Sequence, residues 1–288
     1  MANASKRLDT NIEGNFFVDS TCIDCDTCRQ LAPTTFIEDS DYSAVFHQPE
    51  SPKEEFAAYQ ALLACPVGSI GTIKKNSNVY SQAQTSFPLP IEDDVHYVGF
   101  NSEKSYGAHS YFITHPNGNW LIDSPRYLKH LVQAFEERGG IRYIFLSHKD
   151  DIAEAARYAK TFSAARIIHQ ADVSAMPDSE WVIDGEEPAQ VEAEFRCIPV
   201  PGHTAGCMAL QYKNRFLFSG DHLWWDRDLQ QLGTPENLVW NHAQLERSVR
   251  KLLKYSFEWV LPGHGERIHL SYSKMKTAVE RLIRRRWP

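Results

Sequence analysis

The sequence predicts an α/β protein that carries a small α+β region near its N-terminus. From residue 91 onward, short apolar runs alternate with amphipathic helical stretches, which is typical of mixed α/β folds. Four of the six cysteines lie between residues 22 and 65, a clustering typical of thiolates that share one metal centre. Four of the apolar runs end directly in histidine or aspartate, so the predicted strands carry candidate metal ligands at their ends.

The composition is that of an ordinary globular protein, with 42% hydrophobic and 23% charged residues. A chain of 288 residues is long enough for one large domain and one small domain. Residues 75–90 are rich in Ser and Gln, which is typical of a linker. We therefore expect a polar leader at 1–15, a cysteine-rich domain at 16–74, a linker at 75–90 and a large domain at 91–288.

The net charge of −7 argues against a partner that is a nucleic acid or an anionic membrane. No apolar run reaches 18 residues, so the sequence predicts no transmembrane helix. The polar start has no apolar segment of the kind found in secretory signals. The cysteines are not spaced as a disulfide scaffold, which favours a reducing compartment, and we expect a cytoplasmic protein.

The cysteines follow the pattern C-x2-C-x2-C at Cys22, Cys25 and Cys28, with the next cysteine at Cys65, before a proline. This run resembles that of bacterial ferredoxins, in which a fourth Cys-Pro pair follows closely. Here Ala32 occupies that place, so the resemblance implies that Cys65 completes a single [4Fe–4S] cluster. Zinc bound to the four thiolates, and a metal-free remnant of such a site, remain alternatives.

The cysteine-rich domain is predicted to hold strands at 15–18, 35–37 and 42–46 and a helix at 52–64, with Ser51 as N-cap and proline at the first helical position. In the large domain we expect strands at 95–100, 109–114, 120–122, 142–146, 166–169, 190–199, 207–212, 215–219 and 258–261, and helices at 126–138, 152–162, 241–255 and 271–286. Asp151 is expected to cap the helix at 152–162.

The histidines and aspartates that follow predicted strands form a candidate metal site. Such side chains meet when the ends of neighbouring strands lie together, and a set of His and carboxylate ligands suits Zn, Fe or Mn. The candidate ligands are His148, Asp150, Asp151, His203 in the run PGHTAG, Asp221 in SGD and His264 in LPGHGE.

These motifs, in this order, resemble those of the metallo-β-lactamase-fold hydrolases over residues 90–270. The resemblance implies an αββα sandwich with the site along one edge of the sheets. It also implies that His148, Asp150 and His203 hold one metal, that Asp221 bridges, and that Asp151 and His264 hold a second. Metal-bound hydroxide is the nucleophile in this family, and Asp150, Asp151 and Asp221 are the implied catalytic carboxylates.

The first motif departs from the family pattern H-x-H-x-D-H, because His148 is followed by Lys-Asp-Asp-Ile-Ala. Either Asp151 takes the place of the missing aspartate or the second metal site is lost, and Glu154 is a further candidate ligand. Whether the site binds one metal or two therefore remains open. The replacement of a histidine by Asp150 makes iron as reasonable as zinc.

Three functions follow from these features. The first is a hydrolase for an ester, a thioester or a similar small molecule. The second is an oxidoreductase in which the cluster, reduced by a redox partner protein, passes electrons to an iron centre. The third is a sensor without catalytic activity. The fold alone does not choose between them, since this fold hosts many chemistries.

Overall fold

The structure is a computed structural model and describes residues 2–287. The chain divides into two compact units. One unit comprises Met1–Thr114 and Pro125–Gly139, and the other comprises His115–Ser124 and Gly140–Pro288. These units do not coincide with the predicted domains, whose boundaries stay a prediction.

Among the described residues, the first unit contains four α-helices and seven strands. The helices are α1 (Thr27–Leu31), α2 (Pro52–Ala64), α3 (Ser77–Thr85) and α4 (Lys129–Glu136), and the strands are β1 (Phe16–Val18), β2 (Phe36–Asp39), β3 (Tyr42–Val45), β4 (Ile70–Thr72), β5 (Leu89–Glu92), β6 (Val95–Tyr97) and β7 (Tyr111–Ile113). Strands β1 and β4 pair antiparallel, as do β2 and β3. Strand β6 pairs antiparallel with both β5 and β7.

Helix α2 begins as predicted. The side chain of Ser51 accepts a hydrogen bond from the backbone N–H of Glu54, and the Glu54 carboxylate accepts one from the backbone N–H of Ser51. This capping box satisfies donors that the first turn leaves without partners. The helix ends at Ala64, so Cys65 follows directly and its position depends on the helix.

The expected linker at 75–90 is wrong as a description of local structure, because it contains α3 and part of β5. Asn76 caps α3 by accepting from Val79 N, and its own N–H donates to the hydroxyl of Tyr59 in α2 at 2.6 Å. Only Ala83 of this helix is buried. A helix with one small buried residue has no apolar periodicity, and its composition therefore resembles that of a linker.

Residues 2–15 of the expected leader also contain local structure. Residues Ala4–Lys6 form a 3-10 helix, and Asn11 is buried. The side-chain oxygen Oδ1 of Asn11 accepts hydrogen bonds from the backbone N–H groups of Val18 and Val45, so this one side chain links β1 to β3. Side-chain hydrogen bonds of this kind leave no periodic signal in a sequence, which explains the wrong prediction.

The second unit contains three helices and twelve strands. The helices are α5 (Ala155–Phe162), α6 (His242–Leu252) and α7 (Tyr272–Arg286), and the strands are β8 (Trp120–Ile122), β9 (Tyr143–Phe145), β10 (Ala165–His169), β11 (Trp181–Ile183), β12 (Ala189–Glu192), β13 (Phe195–Pro199), β14 (Met208–Tyr212), β15 (Phe216–Gly220), β16 (Trp224–Asp226), β17 (Gln231–Gly233), β18 (Trp259–Pro262) and β19 (Ile268–His269). The predicted strands and helices are confirmed with ends that differ by at most three residues, except that 190–199 holds two strands.

Most strands of this unit lie in two sheets that pack face to face, and β16 and β17 form a separate antiparallel pair. Strands β8 to β11 are parallel in the order β11-β10-β9-β8, and the second sheet has the order β12-β13-β14-β15-β18-β19. Trp120 of the first sheet stacks on Phe195 of the second, with ring centroids 4.1 Å apart. Helix α5 contacts the first sheet, and apolar residues of α6 and α7 share one core cluster with the second. The predicted αββα arrangement is confirmed.

Candidate functional site

The six candidate ligands of the second unit follow four strands from both sheets. His148, Asp150 and Asp151 come after β9, His203 after β13, Asp221 after β15 and His264 after β18. Strands β15 and β18 are parallel neighbours, with Gly220 beside Pro262, so the segments that follow them lie together. Strand β13 belongs to the same sheet, and because β13 and β15 are both antiparallel to β14, they end at the same edge. The face-to-face packing of the sheets brings in the segment that follows β9.

His148, His203 and Asp221 form a compact group, which we call the first ligand set; one donor atom from each lies within 4.8 Å of the others. Asp221 Oδ2 is 3.7 Å from His148 Nε2 and 3.8 Å from His203 Nε2. These separations are close to about 3.4 Å, the ligand-to-ligand spacing of a tetrahedral site with metal–ligand bonds of about 2.1 Å. The residues therefore fit a metal ion.

Asp150 lies beside the first ligand set on its open side. Its Oδ2 is 3.6 Å from His203 Nε2 and 3.8 Å from His148 Nε2, and its side chain is 45% exposed. By contrast, the His148 side chain is fully buried. Asp150 is thus the carboxylate of the site that meets solvent.

Asp151, Asp221 and His264 form the second ligand set, again with donor atoms within 4.8 Å of one another. Here His264 Nδ1 and Asp221 Oδ1 are only 2.8 Å apart and form a hydrogen bond. The expectation that Asp151 caps a helix is wrong. It lies in the 3-10 turn Lys149–Asp151, whereas α5 begins at Ala155.

The buried ligand atoms His148 Nε2 and Asp151 Oδ2 have no hydrogen-bond partner among residues 2–287. Buried polar atoms in native proteins nearly always have a partner. One atom belongs to each ligand set, so both sets have a buried donor that a cation would satisfy.

Two glycines allow the strand ends to approach the ligands. A Cβ at Gly263 would lie 2.8 Å from both Asp151 Oδ2 and Asp221 Oδ1. A Cβ at Gly220 would lie 2.7 Å from Ser147, and the φ of Gly220 is +50°, which favours glycine. At Gly263, any larger residue would occupy the space between the two carboxylates.

The imidazole rings of His203 and His148 are each oriented by a hydrogen bond at Nδ1, the nitrogen that does not face the first ligand set. His203 Nδ1 lies 2.6 Å from the carbonyl oxygen of Leu238. A carbonyl oxygen only accepts, so Nδ1 carries the proton and the lone pair of Nε2 faces the first ligand set. His148 Nδ1 is 2.9 Å from the Ser147 hydroxyl, and Asp123 accepts hydrogen bonds from the backbone N–H and the side chain of Ser147.

Burial and neighbouring charges shift the pKa values of Asp151 and Asp221 in opposite directions. Burial raises the pKa of Asp151 well above its usual range, and repulsion from Asp221 adds to this effect. Burial would also raise the pKa of Asp221, but attraction to His264, His148 and His203 holds it below its usual value. Burial lowers the pKa of His148. These shifts favour the deprotonated, metal-binding forms of Asp221 and His148 and the protonated form of Asp151.

Asp172 is a buried residue of the site that the sequence analysis missed. Its carboxylate accepts hydrogen bonds from Lys149 N, from the Thr204 hydroxyl at 2.6 Å and from Gly206 N. It therefore joins the turn that carries Asp150 to the loop that carries His203. An isolated aspartate in the segment Gln170–Ala175 belongs to no recognisable motif, so the sequence contains no signal for this role.

Other polar residues near the motifs lie outside both sets. Glu154, the alternative ligand, occupies the N-cap position of α5, and its carboxylate pairs with Arg157 at 3.4 Å. His169 Nε2 donates to the Gly185 carbonyl oxygen at 2.9 Å, and His169 Nδ1 accepts from Ala171 N at 3.1 Å. His222 is fully buried, and burial lowers its pKa to about 3.

In the first unit, one cavity is lined by all four candidate cysteines, Cys22, Cys25, Cys28 and Cys65. All four are free thiols, and Cys28 and Cys65 are buried. Burial raises the pKa of Cys25 to about 11. Four thiolates gathered in an apolar cavity need a compensating cation, and an iron–sulfur cluster supplies one.

The loop between Cys22 and Cys28 is held by a buried arginine. Asp24 and Asp26 have φ values of +54° and +60°, and Arg29 donates hydrogen bonds of 2.6 Å to each carboxylate. The guanidinium thus holds two left-handed residues on either side of Cys25. The backbone N–H groups of Asp24 and Ser43 point at Cys22 Sγ, each at 3.5 Å.

Residues 18–72 match the family model described as the 4Fe-4S single cluster domain of ferredoxin I. The ferredoxin-like part of the sequence prediction is thereby confirmed. The matched segment contains the four cysteines of the cavity.

The structure is similar to several solved structures at low sequence identity. VMB-1 has a TM-score of 0.50 and 17% identity, covering 67% of this chain and 95% of its own. The DIM-1 metallo-β-lactamase has a TM-score of 0.49 and 16% identity, covering 67% and 96%. A peroxy diiron species of the chemotaxis sensor ODP has a TM-score of 0.48 and 19% identity, covering 68% and 93%. No curated protein matches the sequence significantly.

The protein therefore combines a metallo-β-lactamase fold with a small N-terminal [4Fe–4S] ferredoxin domain. No helix within residues 2–287 is long and apolar enough to cross a membrane.

Proposed function

We propose that the protein is a metal-dependent hydrolase whose His/Asp site cleaves an ester, a thioester or a similar small molecule. The observation that carries the proposal is the arrangement of Asp150 beside the first ligand set. His148, His203 and Asp221 lie at metal-binding spacing, and Asp150 is close to both imidazoles yet half-exposed. A buried ligand group with an accessible carboxylate next to it is what hydrolysis by an activated water requires.

A divalent metal held by the first ligand set would supply a water of lowered pKa and would polarise the substrate oxygen. The residues of the chain then have separate roles. The lone pair of His203 Nε2 faces the site, because the Nδ1 proton of His203 is donated to the backbone carbonyl oxygen of Leu238. Asp150 accepts the proton of the attacking water and returns it to the leaving group, since it is the solvent-facing carboxylate within reach. Asp151 and His264 would hold a second metal through the shared Asp221.

The test is a comparison of Asp150→Asn with Asp178→Asn, an exposed aspartate outside both ligand sets. Each metal-loaded protein is assayed against panels of aryl esters and acyl thioesters. We expect Asp150→Asn to lower kcat/KM by about 100-fold or more, with Asp178→Asn within about twofold of wild type. Unchanged turnover in Asp150→Asn, or no turnover in wild type with any ester or thioester, contradicts the proposal.

A second function is favoured by the donor types. The two ligand sets with Asp150 contain three carboxylates and three imidazoles, and a mixed set of this kind suits iron as well as zinc. With the cysteine cavity, this composition supports an oxidoreductase that takes electrons from a reduced partner protein.

Metal analysis separates the two functions. Anaerobic purification followed by measurement of iron, zinc and acid-labile sulfide would give about four irons and four sulfides for the cluster alone. One or two additional zinc ions favour the hydrolase. One or two additional irons, with oxygen or nitric oxide consumed by the reduced protein, favour the oxidoreductase.

A further inference from the structure

A chain of buried polar side chains leads from a cluster cysteine to a residue outside the ferredoxin segment. Cys25 Sγ lies 3.5 Å from the Thr27 hydroxyl, within hydrogen-bonding distance for sulfur. Asn101 Nδ2 donates to Thr27 Oγ1 at 2.9 Å, and Tyr97 Oη donates to Asn101 Oδ1 at 2.9 Å. Thr27, Asn101 and Tyr97 are each at most 1% exposed.

Only one assignment of donors and acceptors fits this series of hydrogen bonds. The Asn101 amide uses one N–H for Thr27 and the other for the Gly107 carbonyl at 2.7 Å. The Thr27 oxygen therefore accepts from Asn101, and its own proton remains available. A cysteine ligated to a cluster is a thiolate and only accepts, so the Thr27 proton points to Cys25 Sγ.

Asn101 itself is fixed against the cysteines by its backbone. Its N–H donates to the carbonyl of Ala64, the residue before Cys65, at 3.2 Å. A Cβ at Gly107 would lie 2.8 Å from the Cβ of Cys25, so this glycine allows the 101–108 loop to touch the cysteine. The matched ferredoxin segment ends at residue 72, and Asn101 therefore adds a contact that this domain by itself does not contain.

We propose that Asn101 is a positioning residue for the iron–sulfur cluster, which orients the Thr27 hydroxyl toward Cys25 and thereby raises the reduction potential of the cluster. Hydrogen bonds to the ligand sulfurs stabilise the reduced, more negative state of a cluster. In a buried environment such a bond has a larger effect than at a surface. The inference depends on a cluster in the cysteine cavity and is independent of the reaction at the His/Asp site.

The experiment measures the midpoint potential of the full-length, cluster-loaded protein by a redox titration followed by electron paramagnetic resonance. We expect Thr27→Val to shift the potential to a more negative value and Asn101→Ala to shift it in the same direction. Thr27→Ser, which keeps the hydroxyl, should retain the wild-type potential. Thr35→Val is the matched control, because Thr35 is also buried in this unit and its hydroxyl has no hydrogen-bond partner among residues 2–287.

A double variant tests whether Asn101 acts through Thr27. If it does, Asn101→Ala leaves the potential unchanged when Thr27 is already valine. An equal shift in both backgrounds, or a wild-type potential in Thr27→Val, overturns the proposal.

A second measurement covers the case in which Thr27→Val loses the cluster. Asn101→Asp keeps the side-chain volume but replaces the donor by an acceptor, which takes the Thr27 proton for itself. Electron–nuclear double resonance of the reduced cluster in D2O should then show one exchangeable-deuteron coupling fewer than wild type. Retention of every wild-type coupling in Asn101→Asp contradicts the proposal.

Discussion

The two ligand sets of the His/Asp site share Asp221 but are prepared for metal binding to different degrees. In the first set, Asp221 Oδ2 stands 3.7 and 3.8 Å from two imidazole nitrogens, which leaves room for an ion. In the second set, Asp221 Oδ1 is hydrogen-bonded to His264 at 2.8 Å, so an ion must first break that bond. Burial also raises the pKa of Asp151 of the second set, so this carboxyl group gives up its proton less readily than an ordinary one.

Asp221 therefore belongs both to a set that already has room for an ion and to a set that must rearrange before an ion can bind. Reorganisation lowers affinity by the free energy that it costs, so we expect a tight first metal and a weaker second one.

Removal of the shared carboxylate should abolish both sites. We expect Asp221→Ala to lose metal from both ligand sets, with affinity lower by about 100-fold or more, because both sets lose a charged ligand. Metal content after dialysis and isothermal titration calorimetry measure this. Asp226→Ala, a half-buried aspartate on β16, is the control and should bind metal as wild type does. A tightly bound metal in Asp221→Ala would show that the sets do not depend on this residue.

Removal of one histidine should distinguish the sets. We expect His203→Ala to weaken the first metal by about 100-fold or more, while His264→Ala changes the affinity for that metal by no more than about threefold. His264→Ala should remove the second metal only. Equal losses in both variants would mean that the sets bind as one cooperative unit.

Loss of the carboxylate that supports the loops should have an intermediate effect. Asp172→Asn keeps the size of the side chain but weakens the bonds from Lys149 N, Thr204 and Gly206 N. We expect the first metal to bind about 10- to 100-fold more weakly, as for other outer residues that orient ligands. Asp184→Asn, an exposed aspartate, is the matched control. A change confined to the second metal would contradict this role.

The smallest expected effect is a difference in pH dependence. The pKa of Asp151 is raised. During acidification this ligand therefore becomes protonated at a higher pH than an ordinary carboxylate does. In the first set, Asp221 has a lowered pKa and His148 a lowered pKa, so both stay deprotonated to lower pH. The second metal should therefore be lost first during acidification. Chelator competition between pH 8.5 and 5.5 measures this, and loss of the first metal before the second would be the contrary result.

Much of the site was predictable because each ligand follows a strand within its own short motif. The runs around His148, His203, Asp221 and His264 are local in sequence, and the strands before them have clear apolar patterns. The run of Cys22, Cys25 and Cys28 was recognisable for the same reason.

The residues that position the ligands were not predictable in this way. Asp172 and Asn101 act across long separations in sequence through side-chain hydrogen bonds, and α3 buries only one alanine. None of these features produces a periodic pattern. The Leu238 carbonyl, which sets the tautomer of His203, is a backbone atom that any residue would offer.

The sequence by itself determined which donor atoms the protein carries and at which strand ends they appear, because ligand chemistry belongs to the residue type and strands form from local pattern. Only the tertiary structure decided the distances between those atoms. The spacing of the first set and the hydrogen bond that closes the second both depend on how two sheets and their loops pack, and such contacts join residues that are far apart in the chain.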